Sequence, residues 1–345
     1  MSYKNENMKM IELHENGLDI QFRIRENGVV ELADFSSQEV KKAVMEPKED
    51  ICYPAVEIHR SGTGSLNMHA YKNNINQSSV DFVYENHELK AQDGGKELEI
   101  VMISSEKLKA VYHMRLFDGV PAVQTWTEII NEGSADQGLT YVSSFMYQGI
   151  SRGGEKPYYK KTDIYVPFNS WCCEAQWQKY DAETLNLNGM VVDGFNHQGY
   201  GLNRYCYSGK GTWSTCEYLP MGIAEDRETG ETYIFQIEST GQWQAEYGSA
   251  QGGNLYLALS GATEQEHGWY KNLKPGESFT TVPAGAAVVK GGLNPAAAAL
   301  TRYRRKVRRP NTDDEKLNVV FNDYMNCLMG DPTTERELSI IDKAA

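Results

Sequence analysis

LEIVMISSEKLKAVYHMRLFDGVPAVQTWTEII, residues 98–130, decides the fold class. It reads as three strands, split at Ser104-Ser105-Glu106 and at Asp118-Gly119. β-Branched and aromatic residues between polar turn clusters are the mark of antiparallel strands. The same style extends in both directions. Residues 11–35 alternate through Ile11, Leu13, Leu18, Ile20, Phe22 and Ile24, with Glu26-Asn27-Gly28 as a hairpin turn. Residues 51–60, 80–90 and 139–150 add strands, and in 80–90 Asp81, Tyr84 and His87 are interleaved with Val80, Phe82 and Val83. From 211 to 292 strands and turns keep alternating, through Tyr233–Ile237, Gln242–Tyr247, Leu255–Leu259, Phe279–Pro283 and Ala286–Val289. About twenty strands exceed one small sandwich, so the expectation is a mainly β chain with two large antiparallel sheets face to face.

Composition narrows the function classes. The 345 residues carry a net charge of −13, which disfavours general nucleic-acid binding and anionic membrane surfaces. No apolar run approaches the roughly 18 residues of a membrane span. Met1 to Met10 is polar and lacks the apolar core of a signal peptide, so the expected location is cytoplasmic. The six cysteines, Cys52, Cys172, Cys173, Cys206, Cys216 and Cys327, show no metal-ligand spacing and read as reduced thiols. The histidines, His14, His59, His69, His87, His113, His197 and His267, are scattered and read as ordinary strand or loop residues, so no metal and no cofactor is expected.

The style changes at Asn294, with Pro295 suited to a first helical turn and Ala296–Ala299 strong helix formers. The helix continues to Arg309, and its basic end suits the helix dipole. We read 294–316 as a linker helix and connection, its basic face solvated or paired with acidic neighbours. Then Leu317-Asn318-Val319-Val320-Phe321 reads as a buried strand of a parallel sheet. Gly330-Asp331-Pro332 reads as a turn before an amphipathic helix bearing Leu338, Ile340, Ile341 and Ala344. A parallel strand needs a neighbour, so a single strand-loop-helix unit is an unfinished one.

Three stretches stand out chemically. WCCEAQW, 171–177, places Trp171 and Trp177 around Glu174 and Gln176. Aromatic faces stack on the C–H face of a sugar, and carboxylate and carboxamide edges bond its hydroxyls. The competing reading packs both tryptophans in the core or between domains, with Glu174 and Gln176 satisfying buried backbone. QIESTGQWQAEYG, 236–248, reads as a hairpin turning at Gly241. The strand tip Asn322, Asp323, Tyr324, Met325 and Asn326 is placed where parallel α/β folds line their active sites, with a helix-capping loop as the alternative. No nucleophile or phosphate-loop signature is present, and no catalytic carboxylate pair can be selected by inspection.

Taken together, AVEIHRSGTG (55–64), LFDGVPAVQTWTEIIN (116–131), YVSSF (141–145), NSWCCEAQW (169–177), YLPMGI (218–223), QIESTGQW (236–243), LTRYRR (300–305) and FNDYMNCLMGDPT (321–333) resemble glycoside hydrolase family 36, whose main members are retaining α-galactosidases. The resemblance implies a large β-supersandwich domain over 1–293, the linker over 294–316, and the first strand and helix of a truncated (β/α)8 barrel over 317–345. It implies α-galactoside oligosaccharides as substrates of the full-length enzyme. The catalytic aspartates of the family sit on later barrel strands, so no residue of this chain inherits a catalytic role and the chain alone is expected to be inactive. What carries over is the first-strand tip: Asn322 matches the family asparagine, and Tyr324 stands where many members have a tryptophan. Family members often form tetramers through their sandwiches, which implies a homo-oligomer. The alternative is a stand-alone carbohydrate-binding or assembly β-sandwich without catalysis.

Overall fold

The computed structural model describes residues 8–47, 51–64, 72–187, 203–250, 254–323 and 328–344. They divide into two compact units, Met1–Lys306 and Val307–Ala345.

Among its described residues the first unit has nineteen strands, in chain order: β1 (Lys9–Glu15), β2 (Leu18–Ile24), β3 (Val30–Ser37), β4 (Ile58–Arg60), β5 (Val83–Gln92), β6 (Gly95–Ile103), β7 (Leu108–Phe117), β8 (Val120–Asn131), β9 (Gln137–Ile150), β10 (Thr162–Ser170), β11 (Cys173–Asp181), β12 (Arg204–Gly209), β13 (Met221–Asp226), β14 (Glu231–Ile237), β15 (Trp243–Ala250), β16 (Asn254–Ser260), β17 (Lys271–Leu273), β18 (Ser278–Thr280) and β19 (Ala284–Lys290). All described pairings are antiparallel. A ten-stranded sheet runs β11-β10-β13-β14-β19-β8-β7-β6-β5, with β18 beside β8. A six-stranded sheet runs β12-β15-β16-β9-β17, with β4 beside β9, and β1-β2-β3 form a third. The expected mainly β, large antiparallel architecture is therefore present.

Alternation explains how the sheets face one another. On β6, Leu98, Ile100 and Met102 are buried while Glu97, Glu99 and Val101 are half-buried on the other face. Side chains two apart share a face, so this period puts one face in the core. The three sheets meet in a single cluster of apolar side chains. Phe235 of the ten-stranded sheet lies 6.2 Å from Tyr247 of the six-stranded sheet. Phe35 of the small sheet touches Phe145 (5.5 Å) and Tyr233 (6.3 Å), one from each large sheet.

Two local expectations need correction. Residues 236–248 are not a hairpin: β14 pairs with β13 and β19, whereas β15 pairs with β12 and β16. The chain instead turns a corner between sheets, and both flanking residues, Ile237 and Trp243, point into the core. Only Ile58–Arg60 of 51–60 is a strand. The residues before it satisfy their backbone through side chains, as in Tyr53 N–H to Glu31 (2.9 Å) and Glu57 N–H to Ser143 Oγ (2.9 Å).

Four-residue helices α1 (Tyr158–Lys161) and α2 (Glu264–His267) interrupt the strands, and α3 (Leu293–Val307) follows them. The first unit extends through Lys306, so α3 is nearly all within it. Its Ala296, Ala299, Leu300 and Tyr303 are buried at helical spacing, while Arg302, Arg305 and Lys306 are exposed as expected. Tyr303 donates to Glu238 (2.5 Å), and its ring sits edge-on to Phe117 (5.5 Å). A Cβ on Gly285 would lie 2.5 Å from that ring. Gly285→Ala is therefore expected to destabilise the first unit by about 1–3 kcal/mol, the usual range for overpacking, measurable as a lower urea midpoint.

In the second unit, α4 (Thr312–Lys316) is capped by Asn311, whose Oδ1 accepts from Asp313 N–H at 3.0 Å, and α5 (Thr334–Ala344) is the expected helix. The expected strand is absent. Residues 317–323 are irregular, and Leu317, Val319 and Val320 are 82 %, 98 % and 86 % exposed. The physical reason is that no described strand pairs with this segment, and an unpaired strand leaves its N–H and C=O groups without a ladder. Leu338 and Ile341 are exposed as well. Removing 317–345 is expected to shift the melting temperature by less than about 2 °C, and a larger drop would show that the segment is integral to the fold. Among the described residues, no helix is long and apolar enough to cross a membrane.

Candidate functional site

The stretch 168–177 forms the tip of the β10–β11 hairpin, at one edge of the ten-stranded sheet. Ser170 pairs with Cys173, so Trp171-Cys172 is a two-residue connection, and the register shifts between Phe168 and Ser170. Asn169 organises the tip. Its backbone N–H donates to Glu217 O (2.9 Å), its Nδ2 to Thr215 O (2.5 Å), and its Oδ1 accepts from Ala175 N–H (2.9 Å). The tip is thereby tied to the segment 213–218, and Phe168 packs on Tyr218 at 5.2 Å.

Cys172 has φ 62°, in the left-handed region that a tight turn normally gives to glycine. A side chain there costs about 1–2 kcal/mol, partly offset because glycine loses more freedom on folding. Cys172→Gly is expected to raise stability by about 0.5–1 kcal/mol in urea unfolding. A decrease would show that the thiol makes a contact that outweighs the strain.

The sequence-expected residues are arranged as follows. Trp171 is 83 % exposed, which removes the core-packing reading for it, while Trp177 is half-buried. Glu174 and Gln176 are exposed, with Glu174 Oε1 accepting from Cys172 N–H (3.1 Å) and Gln176 Nε2 donating to Glu174 O (3.0 Å). One carboxylate oxygen and the carboxamide oxygen thus remain for outside donors. Sequence reasoning passed over Trp213, which is 69 % exposed on the adjoining segment. Behind the tip, Tyr205, Tyr207, Tyr218 and Trp243 form a chain of ring contacts between 5.4 and 5.9 Å. Burial pushes the phenols of Tyr205, Tyr207 and Tyr218 above their usual range, so these rings stay neutral.

Asn322 and Asp323 belong to the second unit, Asn322 exposed and Asp323 half-buried. A hydrogen bond with Asp323 raises the Glu337 carboxyl above its ordinary value. Tyr324 and Asn326 lie outside the described residues, as do His69, His197 and Cys327. The remaining cysteines are free thiols. A cleft of about 500 Å³ is lined by residues including Lys42, Met45, Arg152, Thr229 and Asn254, none of them a sequence-expected site residue. His113 Nδ1 stands 2.9 Å from Glu97 Oε1 and 3.8 Å from Glu99 Oε1.

The fold is thus a multi-sheet antiparallel β-sandwich with an exposed, tryptophan-bearing hairpin at one sheet edge. No family model matches the sequence, and no curated protein matches it. Solved structures do. The α-galactosidase from Lactobacillus brevis is similar over 88 % of this chain and 42 % of its own, at 13 % identity and a TM-score of 0.63. A variant of the GH36 α-galactosidase AgaA from Geobacillus stearothermophilus, in complex with stachyose, is similar over 89 % of this chain and 44 % of its own, at 14 % identity and a TM-score of 0.67. AgaB from the same organism gives 90 %, 44 %, 14 % and 0.66. The expected resemblance to family 36 α-galactosidases is borne out at the level of the fold, and the chain spans less than half the length of these neighbours.

Proposed function

We propose that this chain is the β-supersandwich portion, with the start of a barrel over 317–345, of a retaining α-galactosidase. The supporting observation is the match of nine-tenths of the chain to under half of α-galactosidase chains. The substrates of the whole enzyme are α-galactosyl oligosaccharides, the class to which the stachyose and raffinose bound in AgaA belong. Hydrolysis would proceed by double displacement between two carboxylates roughly 5 Å apart. In this reading those carboxylates lie on barrel strands outside 317–345, so the chain alone does not turn over substrate. The enzyme is cytoplasmic, which the free thiols support, and assembles as a homo-oligomer through its sandwich.

Two measurements test this. The purified chain is incubated with a nitrophenyl α-galactoside; turnover above buffer would refute the assignment of catalysis to residues elsewhere. The coding sequence after codon 345 is read; an in-frame second strand ending in an Asp-Gly-Trp-like motif is expected, and its absence removes the barrel reading.

A second reading rests on the exposure of Trp171 beside Glu174 and Gln176: a sugar-binding sandwich without catalysis. Calorimetry with galactose, melibiose and raffinose separates the two, since this reading requires heat that disappears in Trp171→Ala.

A further inference from the structure

We infer that Glu97, Glu99 and His113 form a binding site for a divalent transition-metal cation, with Zn²⁺ the best match to the donors. The site is independent of the enzyme reading above, because it lies on the face of β6 and β7 turned away from the sandwich core.

The register builds it. Glu99 stands directly opposite His113 in the β6–β7 ladder, and Glu97, two residues earlier, shares the same face. Their neighbours Leu98, Ile100 and Met114 fill the core on the other side. His113 Nδ1 is 2.9 Å from Glu97 Oε1 and 3.8 Å from Glu99 Oε1, and one ligand atom from each residue lies within 4.8 Å of the others. A tetrahedral ion with bonds near 2.0–2.2 Å holds its ligand atoms about 3.3–3.6 Å apart. The observed spacing brackets that value, so small carboxylate rotations bring all three to one ion. One imidazole and two carboxylates suit Zn²⁺, whereas Ca²⁺ takes six to eight oxygens and Cu(I) wants thiolates.

Two surrounding groups orient the ligand side chains, as supporting residues do in metal sites. Trp126 stacks on the His113 ring at 4.7 Å and 8°, which fixes the direction of Nδ1. Lys90 holds Glu99 through Oε2 (2.5 Å), leaving Oε1 turned to His113. Arg115 lies opposite Glu97 in register, yet its guanidinium sits over the Phe117 ring at 5.2 Å. Among the described residues the hydrogen-bonded partner of Glu97 is His113, and the one Lys90 charge is shared among Glu88, Glu97 and Glu99. The cluster therefore keeps an excess of negative charge at the point where the three ligand atoms converge. The rival account is a plain ion pair between a protonated imidazole and the carboxylates, with no affinity for metal.

Calorimetric titration of ZnCl₂ into the chelator-treated full chain decides between them, with the exposed thiols Cys172, Cys173 and Cys216 first alkylated so that they do not compete. One equivalent is expected to bind, and the melting temperature to rise with ion concentration by mass action. His113→Ala and Glu99→Gln are each expected to weaken binding about tenfold or more. Glu99→Gln preserves shape, and circular dichroism of both variants confirms that they fold. No binding by the unaltered chain, or undiminished binding by folded His113→Ala, would overturn the site.

Discussion

Glu246→Ala is expected to lower the unfolding free energy by about 3 kcal/mol, the lower end of the cost of breaking a buried charge pair. Glu246 is fully buried on β15. Its carboxylate accepts from Asn73 N–H (2.8 Å) and Nδ2 (2.9 Å), Tyr256 OH (2.5 Å), Arg204 Nη1 (2.7 Å) and Gln244 Nε2 (3.1 Å). These donors come from β12, β15, β16 and the segment around Asn73, so one carboxylate joins three strands to the covering loop. Its loss strands several buried donors at once, each costing about 1–3 kcal/mol if no water replaces the oxygen. Arg204 retains Glu266 at 3.0 Å, which is why the lower end applies. Urea unfolding of the variant measures the effect, and a loss under about 1 kcal/mol would show the network to be replaceable by water.

Trp243→Ala is expected to cost about 3–5 kcal/mol, the range for a large aromatic deleted from a core. Trp243 is fully buried, meets Tyr207 edge-on at 5.8 Å, and donates through Nε1 to Ser214 O at 2.6 Å. Packing around the indole is tight, since a Cβ on Gly209 would lie 2.2 Å from Nε1. Ser214 lies in the segment that Asn169 binds, so the same change releases the support of the hairpin tip. Trp243→Phe separates the two effects: it keeps most of the packing and removes the Nε1 bond, worth about 1 kcal/mol. If both variants fell equally in urea unfolding, the hydrogen bond rather than the ring would carry the stability.

Period-two patterning made most of the sandwich legible. The three strands of 98–130 appear with their turns at the expected residues, because each strand has one face in the core and one outside. The stretch 236–248 shows the limit of that argument. A hairpin and a corner between sheets have the same local alternation, and only the identity of the pairing strands separates them. The segment 317–323 shows another limit. An apolar run carries the composition of a buried strand, but a strand exists only with a partner to complete its ladder, and none of the described residues supplies one.

The site residues divide in the same way. WCCEAQW was recognisable as an aromatic and polar surface, yet its exposure depends on β11 being a sheet edge and on Asn169 tying the tip to 213–218. Trp213, distant in sequence, gave no local signal. Glu97 and Glu99 belong to no motif that linear reading singles out, and His113 reads as an ordinary strand or loop histidine. Their convergence is a matter of cross-strand register, which linear spacing does not contain.

What the sequence alone determined is the mainly antiparallel β character, the two-faced pattern of most strands and the resemblance to family 36, because these follow from local periodicity and from motifs contiguous in the chain. What the tertiary structure alone decided is which strands share a sheet, where the chain crosses between sheets, and which polar side chains meet. Those depend on pairing between distant segments, where a shift of one residue sends every side chain to the opposite face.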